Sequence, residues 1–140
     1  MTHEHAVTVG TSGLTLGEVV AVARGNEPVL ISENALTAMS VARAQIEALA
    51  ASPEPVYGVS TGFGALATRH IALEDRRQLQ RSLIRSHAAG MGAPVEREVV
   101  RALMLLRLKT LTSGRTGVRP VVAETMAARL NAGITPVVHV

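Results

Sequence analysis

The sequence has no cysteine and no tryptophan, and its only aromatic residues are Tyr57 and Phe63. Without cysteine, neither a disulfide framework nor a thiolate metal site can form, and no metal is expected. The scarcity of aromatics argues against a β-sandwich or barrel, whose strands lean on aromatic and β-branched residues. No apolar run approaches the roughly 18 residues that a spanning helix needs, so no membrane partner is expected. Met1 to Glu18 shows no basic start followed by an apolar stretch. No secretory leader is therefore expected, and a soluble cytoplasmic location is.

What is present is alanine, valine and leucine. Of 140 residues 47% are apolar and 21 are alanine, which favours helices. The length suits one ordinary domain. Charge is unevenly spread. Residues 1–68 carry a net −4 and residues 69–119 a net +7, and 13 of the 14 basic residues are arginine. A basic middle raises the question of nucleic acid. Helical spacing of the arginines favours instead a solvated or partner-facing helix surface.

Along the chain, residues 6–9 suit a short strand. Thr15 and Glu18 are spaced as a capping box for a helix that stops at Gly25. Ser32 is placed to cap a helix over about 33–50, with Leu36, Met39, Ile46 and Leu49 on one face. Ser-Pro-Glu-Pro at 52–55 ends it. Residues 56–67 then break the helical pattern as a glycine-rich loop. A third helix is expected over about 73–89, with Leu79, Leu83 and Ile84 on its apolar face and Gly90 as its stop. Pro94 suits the first turn of a fourth helix over about 94–113, with Val95, Val99, Ala102, Leu103 and Leu106 as its stripe and Gly114 as its end. A last helix over about 119–132 stops at Gly133, and Ile134 to Val140 is extended. The expected fold class is all-α with one atypical loop.

That loop fits two short patterns. Gly58-Val-Ser60-Thr-Gly62 matches G-x-S-x-G, the elbow that exposes a nucleophilic serine on a strand-to-helix turn. Glu96, Glu98 or Glu124 followed by His139 would supply the acid and base in order. The series of alternating strands and helices that holds such an elbow is missing. Gly62-Phe-Gly64-Ala-Leu-Ala67 matches a dinucleotide fingerprint, but residues 76–95 hold no carboxylate for the ribose. The plain reading is a tight turn with Tyr57 and Phe63 packed as core. The alternative is a functional loop on a helical scaffold, carrying Tyr57, Ser60, Thr61 and Phe63. A tyrosine beside an electrophile can transfer a proton. His87, at a helix C-terminus, is ordinarily structural there, because its charged form faces the last carbonyls. His3, His5 and His70 receive no role.

Three segments in order are more specific than any one motif. They are Tyr57-Gly-Val-Ser-Thr-Gly-Phe-Gly64, Leu79-Gln-Arg-Ser-Leu-Ile-Arg-Ser-His-Ala-Ala-Gly90 and Ser113-Gly-Arg-Thr-Gly-Val-Arg119. Together they resemble the N-terminal part of the aromatic amino acid ammonia-lyases, most of all their histidine-specific branch of actinobacterial type. The similarity runs from about residue 8 to Val140. It implies residues 1–140 as the N-terminal portion of a longer lyase, with the loop at 56–67 and the rest of the catalytic domain outside the sequence. It implies elimination of ammonia from L-histidine to give urocanate, in a cytoplasmic homotetramer that binds neither nucleic acid nor membrane. It implies the electrophile 4-methylideneimidazol-5-one, formed from an Ala-Ser-Gly tripeptide.

By the same resemblance Tyr57 is the proton-abstracting residue. A phenol ordinarily titrates near pH 10, so that role calls for nearby positive charge. Gly58, Gly62 and Gly64 let the loop fold over the site. Ser86 and His87 fall on the substrate-selectivity pair, where a histidine can hydrogen-bond a substrate imidazole. Arg119 matches an arginine with a structural or near-site role. Two departures stand out. Ser60 replaces the asparagine of many histidine-specific members, and no Ala-Ser-Gly occurs in the 140 residues. The chain alone is therefore expected to be inactive. Two other classes stay open on the residues themselves: a serine hydrolase using Ser60, and an arginine-rich helical module on nucleic acid.

Overall fold

The computed structural model describes residues 6–140, so His3 and His5 lie outside it. The elements in order are β1 (Val7–Val9), α1 (Leu16–Ala23), β2 (Val29–Ile31), α2 (Glu33–Ala51), α3 (Leu73–His87), α4 (Arg97–Leu111) and α5 (Pro120–Asn131). Five helices against two three-residue strands make the chain mostly helical, as the composition implied. It divides into two compact units. One takes the stretches up to Arg43 and from Gly92 to Val140; the other is Ala44–Met91.

The first unit begins with β1 paired in parallel to β2, Val7 opposite Val29 and Val9 opposite Ile31. The second strand was not expected; its three apolar residues sit between Pro28 and Ser32, too short a run to show a period. Parallel pairing needs a crossover, and α1 supplies it. The capping box at its start is formed. The Glu18 N–H donates to Thr15 Oγ1 at 3.2 Å, and the Thr15 N–H donates to Glu18 Oε2 at 2.7 Å. Hydrogen bonds from the Thr15 backbone, then from its hydroxyl, hold the Glu18 carboxyl below its ordinary pKa. The outer edge of β2 is closed by one side chain. Asn131 accepts from the Val29 N–H at 2.7 Å and donates to the Val29 carbonyl at 2.9 Å, which satisfies groups a third strand would otherwise take.

The core joins Val7, Val9, Val22, Val29 and Met39 to Met104, Leu105 and Leu108 of α4 and to Ala123, Ala127 and Leu130 of α5. This corrects the expected face of α4. Val99, Leu103 and Leu106 are about half exposed, and the buried line is Val100, Arg101, Met104, Leu105, Leu108 and Leu111. Apolar residues fall on more than one side of the helix, so periodicity offers two stripes, and packing by α1 and α5 selects one. On α2, Met39 is buried but Leu49 is exposed, with Ala35 and Ala42 covered instead.

Arg101 lies within that buried line and is fully buried. Its Nε and Nη2 donate to the Val22 carbonyl at 3.1 and 2.9 Å, and its Nη1 to the Leu130 carbonyl at 3.1 Å. Both carbonyls belong to last turns, of α1 and α5, where helices leave acceptors without partners and where the dipole favours a cation. Burial, and secondarily Arg97, lowers the Arg101 pKa, yet an arginine remains charged. Arg24 and Glu98 add an exposed two-pronged ion pair between α1 and α4 at 3.0 Å.

Two further boundaries differ from expectation. Pro94 does not open α4; it bridges His139 in an antiparallel pair, and the Val95 N–H donates to the Val138 carbonyl. The helix starts after Glu96. In the second unit α3 ends at His87, before Gly90, and no residue of it is buried. Ser86 and His87 side chains compete there for the Leu83 carbonyl.

Two outcomes are expected. Arg101→Met keeps volume but leaves the Val22 carbonyl without its donors, and should cost about 3 kcal/mol in urea unfolding; a loss under about 0.5 kcal/mol would show that the guanidinium holds nothing together. The capping carboxylate stabilises the fold above the ordinary carboxylate range, and that contribution is lost as pH falls through its lowered folded value. Glu18→Gln should therefore flatten the acid-side decline in stability, measured as denaturation midpoints between about pH 7 and about pH 3.

Candidate functional site

The glycine-rich loop lies in the second unit, between the end of α2 and the start of α3. Two prolines, Pro53 and Pro55, stop the helix and leave Val56 to begin a run of turns. The Val59 and Ser60 N–H groups both donate to the Val56 carbonyl, at 3.0 and 2.9 Å. Gly58 sits at φ +72°, which a residue with a Cβ adopts at a cost. The chain then goes out past Phe63, makes a short 3-10 turn over Gly64–Leu66, and returns. The two arms pair across the base. Thr61 bridges His70, the Gly62 N–H donates to the Arg69 carbonyl at 3.2 Å, and the Ile71 N–H donates to the Ser60 carbonyl at 2.9 Å. Gly62 is required by space: a Cβ there would stand 2.5 Å from the Leu66 Cβ and 3.1 Å from its carbonyl oxygen.

The loop has a polar interior. Ser60 and Thr61 are buried, and both hydroxyls are used. Ser60 Oγ accepts from the Val56 N–H at 2.9 Å; Thr61 Oγ1 accepts from the Gly58 N–H at 3.3 Å and donates to the Gly62 carbonyl at 3.1 Å. Ser60 is thus a turn-forming residue. No strand precedes it, it is followed by a bridge and not a helix, and it is inaccessible, so the nucleophile-elbow reading is overturned.

Tyr57 is placed differently. Its side chain is 66% exposed, and its ring meets Phe63 edge to face with centroids 6.2 Å apart. The plain reading of both rings as core fails for Tyr57, while Phe63 is half-buried and steadies it. The loop therefore presents one phenol outward on a base locked by buried hydroxyls. Ser60, Thr61 and the glycines singled out from sequence build that base, and Tyr57 is what it displays.

Ser86 and His87 are exposed at the C-terminal end of α3. His87 Nδ1 lies 2.9 Å from the Leu83 carbonyl and 3.0 Å from Ser86 Oγ, while Ser86 Oγ donates to the same carbonyl at 2.8 Å. A carbonyl can only accept, so the network assigns the proton to Nδ1 and leaves the neutral ring's Nε2 lone pair as an outward acceptor. Arg119 belongs to the first unit. It precedes Pro120 at the start of α5 and lines an open cavity of about 490 Å³ with Met104, Met126, Arg129 and Pro136.

Two residues that matter were not found from sequence. Arg76 of α3 donates from Nε to the Ile71 carbonyl at 3.1 Å and from Nη1 to the Ala50 carbonyl at 2.9 Å. Arg101 is the other, and its signal was available: it falls on the apolar line through Met104, Leu105 and Leu108. The basic middle of the chain is partly consumed in this way. Arg76 and Arg101 bond to carbonyls, and Arg97 to the Asn26 side chain. Among the described residues no helix is long and apolar enough to cross a membrane, and no group of three or more His, Asp or Glu could hold a metal ion.

Comparison with known proteins bears on the family and the fold. A family model described as aromatic amino acid lyase matches residues 14–140. The histidine ammonia-lyase of Streptomyces avermitilis is 70% identical over 135 residues, covering 96% of this chain and 26% of that protein. The tyrosine ammonia-lyase of Cupriavidus metallidurans is 43% identical over 138 residues, 99% of this chain and 26% of that protein. Among solved structures, the tyrosine aminomutase from Streptomyces globisporus superposes with a TM-score of 0.91 at 33% identity, over 96% of this chain and 26% of that one. The chain thus spans about a quarter of the length of these relatives.

One measurement checks the placement of Ser60. A fluorophosphonate probe should leave the chain unlabelled, because the hydroxyl is buried and occupied; covalent labelling at Ser60 would restore the hydrolase reading.

Proposed function

Because the chain belongs to the aromatic amino acid lyase family, we propose that it is the N-terminal portion, residues 1–140, of a histidine ammonia-lyase, in which the loop at 56–67 presents Tyr57 to the substrate. The reaction is elimination of ammonia from L-histidine to give urocanate. The observation that carries the reading is the 70% identity to the histidine ammonia-lyase of Streptomyces avermitilis, together with an exposed tyrosine on an otherwise locked loop. The complete enzyme is, on this reading, a cytoplasmic homotetramer.

In the elimination the C–N bond to the α-amino group breaks and a β-proton leaves. Tyr57 takes that proton at its side-chain oxygen. The loop base serves this by fixing the backbone on both sides of the residue, so the ring is oriented before substrate arrives. Gly58 lets the chain turn directly after Tyr57, and Phe63 limits how far the ring can swing. His87 accepts an N–H from the substrate imidazole at Nε2, with its tautomer set by Leu83 and Ser86. Arg119 has a structural or near-site role in the first unit.

When bound, 4-methylideneimidazol-5-one supplies the electrophile that draws the substrate amine. Its Ala-Ser-Gly precursor does not occur in the 140 residues.

The reading is tested by transplant. The chain alone, given L-histidine, should leave urocanate absorbance at background. Put in place of the matching quarter of the Streptomyces avermitilis enzyme, it should restore urocanate formation. Tyr57→Phe in that chimera should lower kcat by about 10²-fold to 10⁴-fold. A folded chimera with no urocanate formation, or a Tyr57→Phe variant of undiminished rate, would overturn the proposal.

A further inference from the structure

We infer that Arg76 is a positioning residue for the loop that carries Tyr57, its guanidinium tying the loop's returning arm to the C-terminal end of α2. The tether itself rests on geometry; its consequence for catalysis rests on the reading of Tyr57 above.

Arg76 grips two carbonyls far apart in sequence, Ile71 at 3.1 Å and Ala50 at 2.9 Å. Ala50 is the next-to-last residue of α2, and its carbonyl is one of those a helix leaves without an internal partner. Ile71 closes the loop. Its N–H is already bound to the Ser60 carbonyl, so its peptide units are held on both sides. Ser60 in turn holds the Val56 N–H through Oγ. A continuous path of hydrogen bonds therefore runs from Ala50 through Arg76, Ile71 and Ser60 to Val56, the residue before Tyr57.

The position of Arg76 supports the assignment independently. A cation early in a helix opposes the dipole, and Glu74 and Asp75 in the first turn of α3 follow the usual preference. Arg76 follows them directly and is half-buried, whereas Arg77 beside it is exposed. Two carbonyl acceptors offset the unfavourable placement. The geometry also needs arginine in particular. A planar fork reaches two acceptors at once, while a lysine offers a single point of charge on a different stem. Releasing the tether leaves the arms paired but frees them as a body relative to α2. A displacement of about 1 Å at a reacting group can cost on the order of 10²-fold in rate.

Two measurements test this, one without catalysis. In the 140-residue chain, Arg76→Met should speed amide exchange at Ile71 by about tenfold, with Arg76→Lys intermediate and Arg77→Met unchanged. In the chimeric lyase, Arg76→Met should lower kcat by about 10-fold to 100-fold with KM within about twofold, Arg76→Lys should recover part of the loss, and Arg77→Met should match the parent. Unchanged exchange at Ile71 overturns the tether. Faster exchange with an unaltered kcat overturns the positioning role. If Arg76→Met does not fold, Arg76→Lys carries both tests on the same criteria. A parent chimera without activity counts against the proposed function only, since the exchange measurement still decides the tether.

Discussion

A buried polar group needs a partner, because leaving one unpaired costs a few kcal/mol, a large share of a domain's net stability. That constraint organises both units of this chain. In the first it acts through Arg101, a full charge in the apolar line of α4 with no carboxylate paired to it among the described residues. Its donors are spent on last-turn carbonyls of α1 and α5. The guanidinium and the helix ends satisfy one another, and in doing so set where the three helices meet. Asn131 acts by the same logic on the free edge of β2, so a two-stranded parallel pair persists without a third strand.

In the second unit the same requirement shapes the loop. It has almost no apolar interior; Ser60, Thr61 and Gly62 are its buried residues, and α3 buries none. The hydroxyls fold inward onto backbone N–H groups, which keeps an irregular segment in one conformation and leaves Tyr57 facing out. A phenol displayed on a polar, internally bonded base is a reasonable place for proton transfer, since the base fixes the backbone while the oxygen stays accessible. Serine at position 60 is compatible with this arrangement because its short side chain reaches the Val56 N–H four residues back, within the loop itself.

Much of this was legible beforehand. Thr15 with Glu18, and Gly133 after the last helix, marked helix ends because capping is local chemistry within four residues. The loop was visible as a break in periodicity, and its motif, with the later segments at 79–90 and 113–119, carried the family resemblance. The errors have a common origin. The wrong stripe on α4, the missing β2 and the misplaced start at Pro94 all depend on segments distant in the chain. Pro94 reads as a helix start until His139 pairs with it. Ser60 reads as a nucleophile until its hydroxyl is seen to be spent on Val56.

The sequence by itself determined helical content, the sites of the caps, the presence of a glycine-rich loop with a lone tyrosine, and membership of a lyase family. These follow from short-range spacing, side-chain size and ordered motifs. Only the tertiary structure decided which face of each helix is buried, that Arg101 and Arg76 serve carbonyls, and that Ser60 turns in while Tyr57 turns out. Those outcomes depend on which distant backbone groups are left without partners, and a linear pattern carries no record of that.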